Sequence, residues 1–150
     1  MAQRGWLASV ALVAVALLLA PACGGGGGSS APLLAPPTVE VTEPAVDRLI
    51  ATLPAETVEI RFTDMDPTGT ALIDVIADRD GSPATTTDQV VIAQDLLPQN
   101  GTEHVLTWLA ETVAPGTYGI YARVRFGSDL EVVGVAPGRI QVDALPIEDA

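Results

Sequence analysis

The chain has 150 residues, 48% of them hydrophobic, and sets seven arginines and no lysine against 19 acidic residues for a formal net charge of -12. A surface that acidic excludes a nucleic-acid partner, whose phosphates demand basic side chains, and a single cysteine excludes an internal disulfide. The length admits one domain beyond a leader and a linker.

The chain opens with one charge, Arg4, then an apolar block from Trp6 to Ala20, then the small residues Ala20, Pro21 and Ala22. This is the layout of a secretory signal peptide over residues 1–22. At about 15 residues the block is shorter than the ~20 a helix needs to span a bilayer, so a signal peptide is the leading reading, with an anchor in a thinned membrane as the alternative. The next residue is Cys23, and "LAPAC" resembles the lipobox of bacterial lipoproteins, with Ala20 where that family more often carries leucine. The resemblance implies that Cys23 becomes the mature N-terminus, bearing a diacylglyceryl thioether and an amide-linked acyl chain such as palmitate. More than one chain makes such a membrane anchor stable. Gly24, in place of an aspartate, implies sorting to the outer membrane or cell surface. Residues 23–37 then read as a linker: Gly24 to Gly28 with Ser29 and Ser30 form a flexible coil, and "APLLAPP" stiffens its end.

From Thr38 the pattern changes to short runs rich in Val, Ile, Leu and Thr, punctuated by Gly, Pro and Asp, which predicts an antiparallel all-β sandwich over residues 38–143. "TVEVT" (38–42) alternates, and "DRLIAT" (47–52) is expected as a second piece of the same edge strand. "TVEIRFT" (57–63) places Val58, Ile60 and Phe62 on a core face and Glu59 and Arg61 on a wet one. "ALIDVIAD" (71–78) is apolar on both faces apart from Asp74 and suits a central strand. "DQVVIAQDL" (88–96) and "EHVLTWL" (103–109) follow. "GTYGIYARVRF" (116–126) sets Tyr118, Ile120, Ala122, Val124 and Phe126 against Tyr121, Arg123 and Arg125, and the two arginines are expected to pair with neighbouring carboxylates. A last strand, split around "APG" (136–138), closes with "RIQVD" (139–143). Residues 144–150 form a tail.

"TWLAETVAPGTYGIYARV" (107–124), with "VAPGRIQV" (135–142) after it and "IRFTDMDPTGTALIDVIADRDG" (60–81) before it, resembles the immunoglobulin-like and fibronectin type III-like modules of bacterial surface proteins. The resemblance implies a sandwich of about seven to eight strands and specifies no activity. In that fold a tyrosine near the start of the long sixth strand turns its ring inward and returns its hydroxyl to the upstream backbone, and Tyr118 stands in that position. Trp108 is expected in the core.

Signals for chemistry are sparse. His104 is the only histidine, and no nucleophile elbow, phosphate loop or zinc motif occurs, so no catalytic residue is assigned and an enzyme is not expected. "TDMDPTG" supplies Asp64 and Asp66, and "ADRDGSPATTTD" supplies Asp78, Asp80 and Asp88, oxygen donors of the kind calcium takes. Aspartate is equally a turn former, and a calcium loop opened at Asp78 would need a glutamate where Gln89 stands. "NGT" (100–102) matches a glycosylation sequon and also a tight turn. The composite expectation is a lipid-anchored, exported module of the cell envelope with a structural, adhesive or protein-binding role. A carbohydrate-binding module and a calcium-stabilised surface scaffold are the alternatives.

Overall fold

The computed structural model describes residues 34–51, 56–109 and 113–143. Eight strands run in chain order among them: β1 (Thr38–Glu43), β2 (Arg48–Ala51), β3 (Thr57–Met65), β4 (Leu72–Asp78), β5 (Gln89–Leu96), β6 (His104–Leu109), β7 (Gly116–Phe126) and β8 (Leu130–Asp143). They form a three-stranded sheet ordered β1-β3-β6 and a five-stranded sheet ordered β2-β8-β7-β4-β5. All neighbours pair antiparallel except β2 with β8. This is an all-β, immunoglobulin-like sandwich.

Alternation decides which side chains enter the interior. On β3, Val58, Ile60 and Phe62 are fully buried; on β7, Tyr118, Ile120, Ala122 and Val124 face the same core, joined by Ile73, Val75 and Ala77 of β4 and Ile140 and Val142 of β8. Each fully buried aliphatic or aromatic side chain contributes about 1.5–3 kcal/mol relative to exposure. Trp108 of β6 packs its ring edge-on against Tyr118, with centroids 5.9 Å apart and planes at 74°.

Three features differ from the pattern-based reading. The segment containing Arg48–Ala51 is not a second piece of the β1 edge strand: it forms a separate strand that joins β8 of the other sheet in parallel register, from Arg48↔Ile140 to Ala51↔Asp143. The crossing is held by the amide of Gly138, which donates to the Pro44 carbonyl at 2.8 Å, and by the amide of Arg139, which donates to Asp47 Oδ1 at 2.8 Å. A side chain on Gly138 would overlap the backbone of Val46. Second, "APG" does not split the last strand: β8 runs through it and its pairing with β7 merely shifts register, resuming at Gly119↔Arg139 after Tyr121↔Val135. Of the residues at this irregularity Ala136 and Gly138 are buried and only Pro137 is exposed.

The third difference concerns the far face of the five-stranded sheet, which is not uniformly wet. Asp74, Ile76, Asp78 and Tyr121 point away from the core yet are all buried. Arg125 reaches from β7 across Asp74 of β4 to Asp95 on β5.

Candidate functional site

The five aspartates expected as oxygen ligands fall into two turns at opposite ends of β4. Asp64, near the end of β3, and Asp66 stand at the β3–β4 turn, and Asp78, the last residue of β4, stands with Asp80 and Asp88 at the β4–β5 turn. A seven-residue strand separates them by about 20 Å at ~3.3 Å per residue, so they cannot share one ion. Among the described residues no three His, Cys, Asp or Glu side chains converge as a metal-binding group.

In the β3–β4 turn every carboxylate oxygen receives a donor. Asp64 Oδ1 accepts from the Gln99 amide at 3.0 Å and lies 2.7 Å from His104 Nε2; its Oδ2 accepts from the Asn100 amide at 3.3 Å. The His104 ring stacks on Phe62, its cross-strand partner, at 4.3 Å and 5°. Asp66 Oδ1 accepts from the Thr68 amide and hydroxyl, and Oδ2 from the Ala71 amide at 2.8 Å. Burial pushes the Asp66 carboxyl up, but those donors outweigh it and hold the group below the ordinary carboxylate range. The sequon residue Asn100 forms a tight turn with Gly101, φ 49° and 88°, and its Oδ1 accepts from the Asp66 amide at 2.7 Å.

The β4–β5 turn is built differently. Asp78 is fully buried, and its Oδ1 accepts from the Asp80 amide at 3.0 Å. Asp80 is exposed; its Oδ1 accepts from the Ser82 amide and its Oδ2 from the Thr85 hydroxyl, both at 2.7 Å. Asp88 takes part through its backbone, with φ 61° and its carbonyl accepting from the Arg79 amide. Gln89 Nε2 donates to the Tyr121 hydroxyl at 2.6 Å and also to the Thr85 carbonyl. Burial, and then the adjoining Asp80 carboxyl, push Asp78 up, whereas the Thr85 hydroxyl, the Ser82 amide and Asp78 itself hold Asp80 down. Among the described residues two buried side-chain polar atoms have no hydrogen-bond partner: Asp78 Oδ2 and Arg123 Nε.

Arg125 does pair with carboxylates as expected. Its Nε and Nη2 donate to the two oxygens of Asp74 at 2.9 and 3.1 Å, and Nη2 also reaches Asp95 Oδ1 at 2.5 Å; Arg123 Nη2 stands 3.5 Å from Asp74. Burial raises the Asp74 carboxyl, but the Arg125 hydrogen bonds, the Asp95 amide and the two guanidinium charges prevail and hold it below its usual range. Tyr118 also stands as expected, donating its hydroxyl to the Ala114 carbonyl at 2.7 Å.

Sequence reasoning missed the Asp64–His104 contact, because residues 40 apart in the chain meet only through the β3–β6 register. It also missed the burial of Asp78 and Tyr121 on the outer face. Cys23 lies outside the described residues. Strands β5 and β6 each border one described strand only, and they expose Val91, Val105 and Leu109.

No protein-family model matches the chain, and no curated protein matches it significantly.

Proposed function

We propose that the chain is an exported, lipid-anchored β-sandwich module of the cell envelope, held at the outer membrane or cell surface by acyl chains on Cys23, with a structural or adhesive role exercised through protein contacts. One observation carries this reading: the order of segments, in which a short apolar leader ends at the only cysteine, a Gly/Ser/Pro spacer follows, and a sandwich with its own core comes last. Two acyl chains hold a protein on a bilayer where one does not, and a spacer of about 15 residues lets the body clear the headgroups.

The protein-binding role draws support from the surface. The strand edges at β5 and β6 carry backbone groups that an added strand can pair, and exposed apolar side chains flank them. A sugar site would want an exposed aromatic platform, whereas Trp108 is only 5% exposed.

The test is fractionation of cells that express the full chain. Wild type is expected in the membrane fraction and extractable only with detergent, and Cys23→Ser in the soluble fraction. Wild type recovered in the soluble fraction without detergent overturns the anchor.

A further inference from the structure

Among the carboxylate oxygens buried in this sandwich, Asp78 Oδ2 stands apart. Asp64 and Asp66 have donors on both oxygens, and Asp74 accepts from two arginine nitrogens and the Asp95 amide. Among the described residues Asp78 Oδ2 has no hydrogen-bond partner, although the residue is fully buried and Asp80 adjoins it in the same turn; the Gln89 side chain offsets only part of the upward push on the Asp78 carboxyl. A buried carboxylate left without a donor beside a second carboxylate is costly, and the cost is removed by a positive charge placed between them.

The surroundings favour a hard cation. Gln89 and Gly119 stand beside Asp78 in the sheet register, and the Gln89 amide also touches the Thr85 carbonyl and the Tyr121 hydroxyl. Two carboxylates, a carbonyl, a threonine hydroxyl and a phenol thus gather at one end of β4, oxygen-bearing groups with the Gln89 Nε2 donor among them and no sulfur or imidazole. Calcium takes such oxygens in irregular geometry, whereas magnesium demands a tighter octahedron. Among the described residues no guanidinium hydrogen-bonds to Asp78: Arg79 donates to the Pro115 carbonyl and Arg123 turns to Asp74.

We propose that the β4–β5 turn is a calcium site in which Asp78 Oδ2 and the Asp80 carboxylate are the charged ligands and loop oxygens and water complete the shell. The ion ties Asp80 to the end of β4 and so fixes the loop beside the β5 edge. Only two of the five aspartates singled out by the sequence belong to it.

Thermal unfolding of the full chain in detergent, with 5 mM calcium or with chelator, tests this. A site with a dissociation constant on the order of 10⁻⁴–10⁻³ M predicts a Tm about 5–10 °C higher in calcium, with a much smaller shift in magnesium. Asp78→Asn, which preserves shape, is expected to abolish the calcium shift, and Asp64→Asn to reduce Tm in both conditions while keeping it. Terbium provides a second readout: excitation of tyrosine is expected to sensitise terbium emission in wild type, to lose it in Asp78→Asn, and to have it displaced by calcium. Three results overturn the proposal: no calcium shift in wild type; an equal shift in Asp78→Asn, which places the ion elsewhere; or no calcium response together with stability that falls as pH rises, which makes the pair a shared-proton pair.

Discussion

The hydroxyl of Tyr118 and the missing side chain of Gly138 show how much a single position decides. Tyr118 sits in the core and sends one polar atom back to Ala114, so Tyr118→Phe removes one hydrogen bond and little packing. Chemical denaturation is expected to show a loss of about 0.5–1.5 kcal/mol. Gly138 lies where β8 passes the segment between β1 and β2, and any Cβ there meets the Val46 backbone. Gly138→Ala is therefore expected to cost more than ~1–3 kcal/mol, the usual range for overpacking, because backbone and not a mobile side chain must give way. The role of Tyr118 was legible in the sequence, since Pro115 and Gly116 mark the turn before it. The need for glycine at 138 was not, because the clash is with a residue 92 positions upstream.

At the scale of elements, β4 and β7 carry the polar architecture of the five-stranded sheet. Asp74, Arg125 and Asp95 bridge three strands, and Asp74→Ala strands two arginines that faced it. Hydrogen bonds to charged groups contribute about 1.5–3 kcal/mol, discounted here because Arg125 is 41% exposed and solvent screens its side of the pair; a loss of roughly 1–2 kcal/mol is expected. The same carboxyls determine the acid limb of stability. Asp66 and Asp74 both titrate below their unfolded values, so their contribution is present above the unfolded pKa of about 3.9 and is lost as pH falls through the lower folded values. Unfolding followed against pH should therefore show stability falling below about pH 4, with a shallower fall in Asp66→Asn. Strand positions and the alternation of β3 and β7 could be read directly, since period two is local. The switch of Arg48–Ala51 to the other sheet could not, because it depends on which strands become neighbours, whereas a run apolar on both faces apart from Asp74 did mark β4 as a central strand.

For the molecule as a whole, the core and the address are separate matters. Val58, Ile60 and Phe62 are the heart of the three-stranded sheet and are fully buried, so Phe62→Ala is expected to cost about 3–5 kcal/mol. A change of that size threatens the fold of a domain whose total stability is typically ~5–15 kcal/mol, and the proposed lipidation at Cys23, which rests on the leader over residues 1–22, is expected to be unaffected. The address is written in composition and order along the chain; the sandwich is written in alternation; neither specifies a partner, since edges such as β5 and β6 are defined by backbone and accept many sequences. The central claim is that Cys23 carries the acyl chains that hold this body at a membrane. Intact mass spectrometry of the protein purified from membranes tests it most directly: a chain that begins at Cys23 with diacylglyceryl and N-acyl mass added is the predicted result, and an unmodified chain, or one that retains residues 1–22, contradicts it.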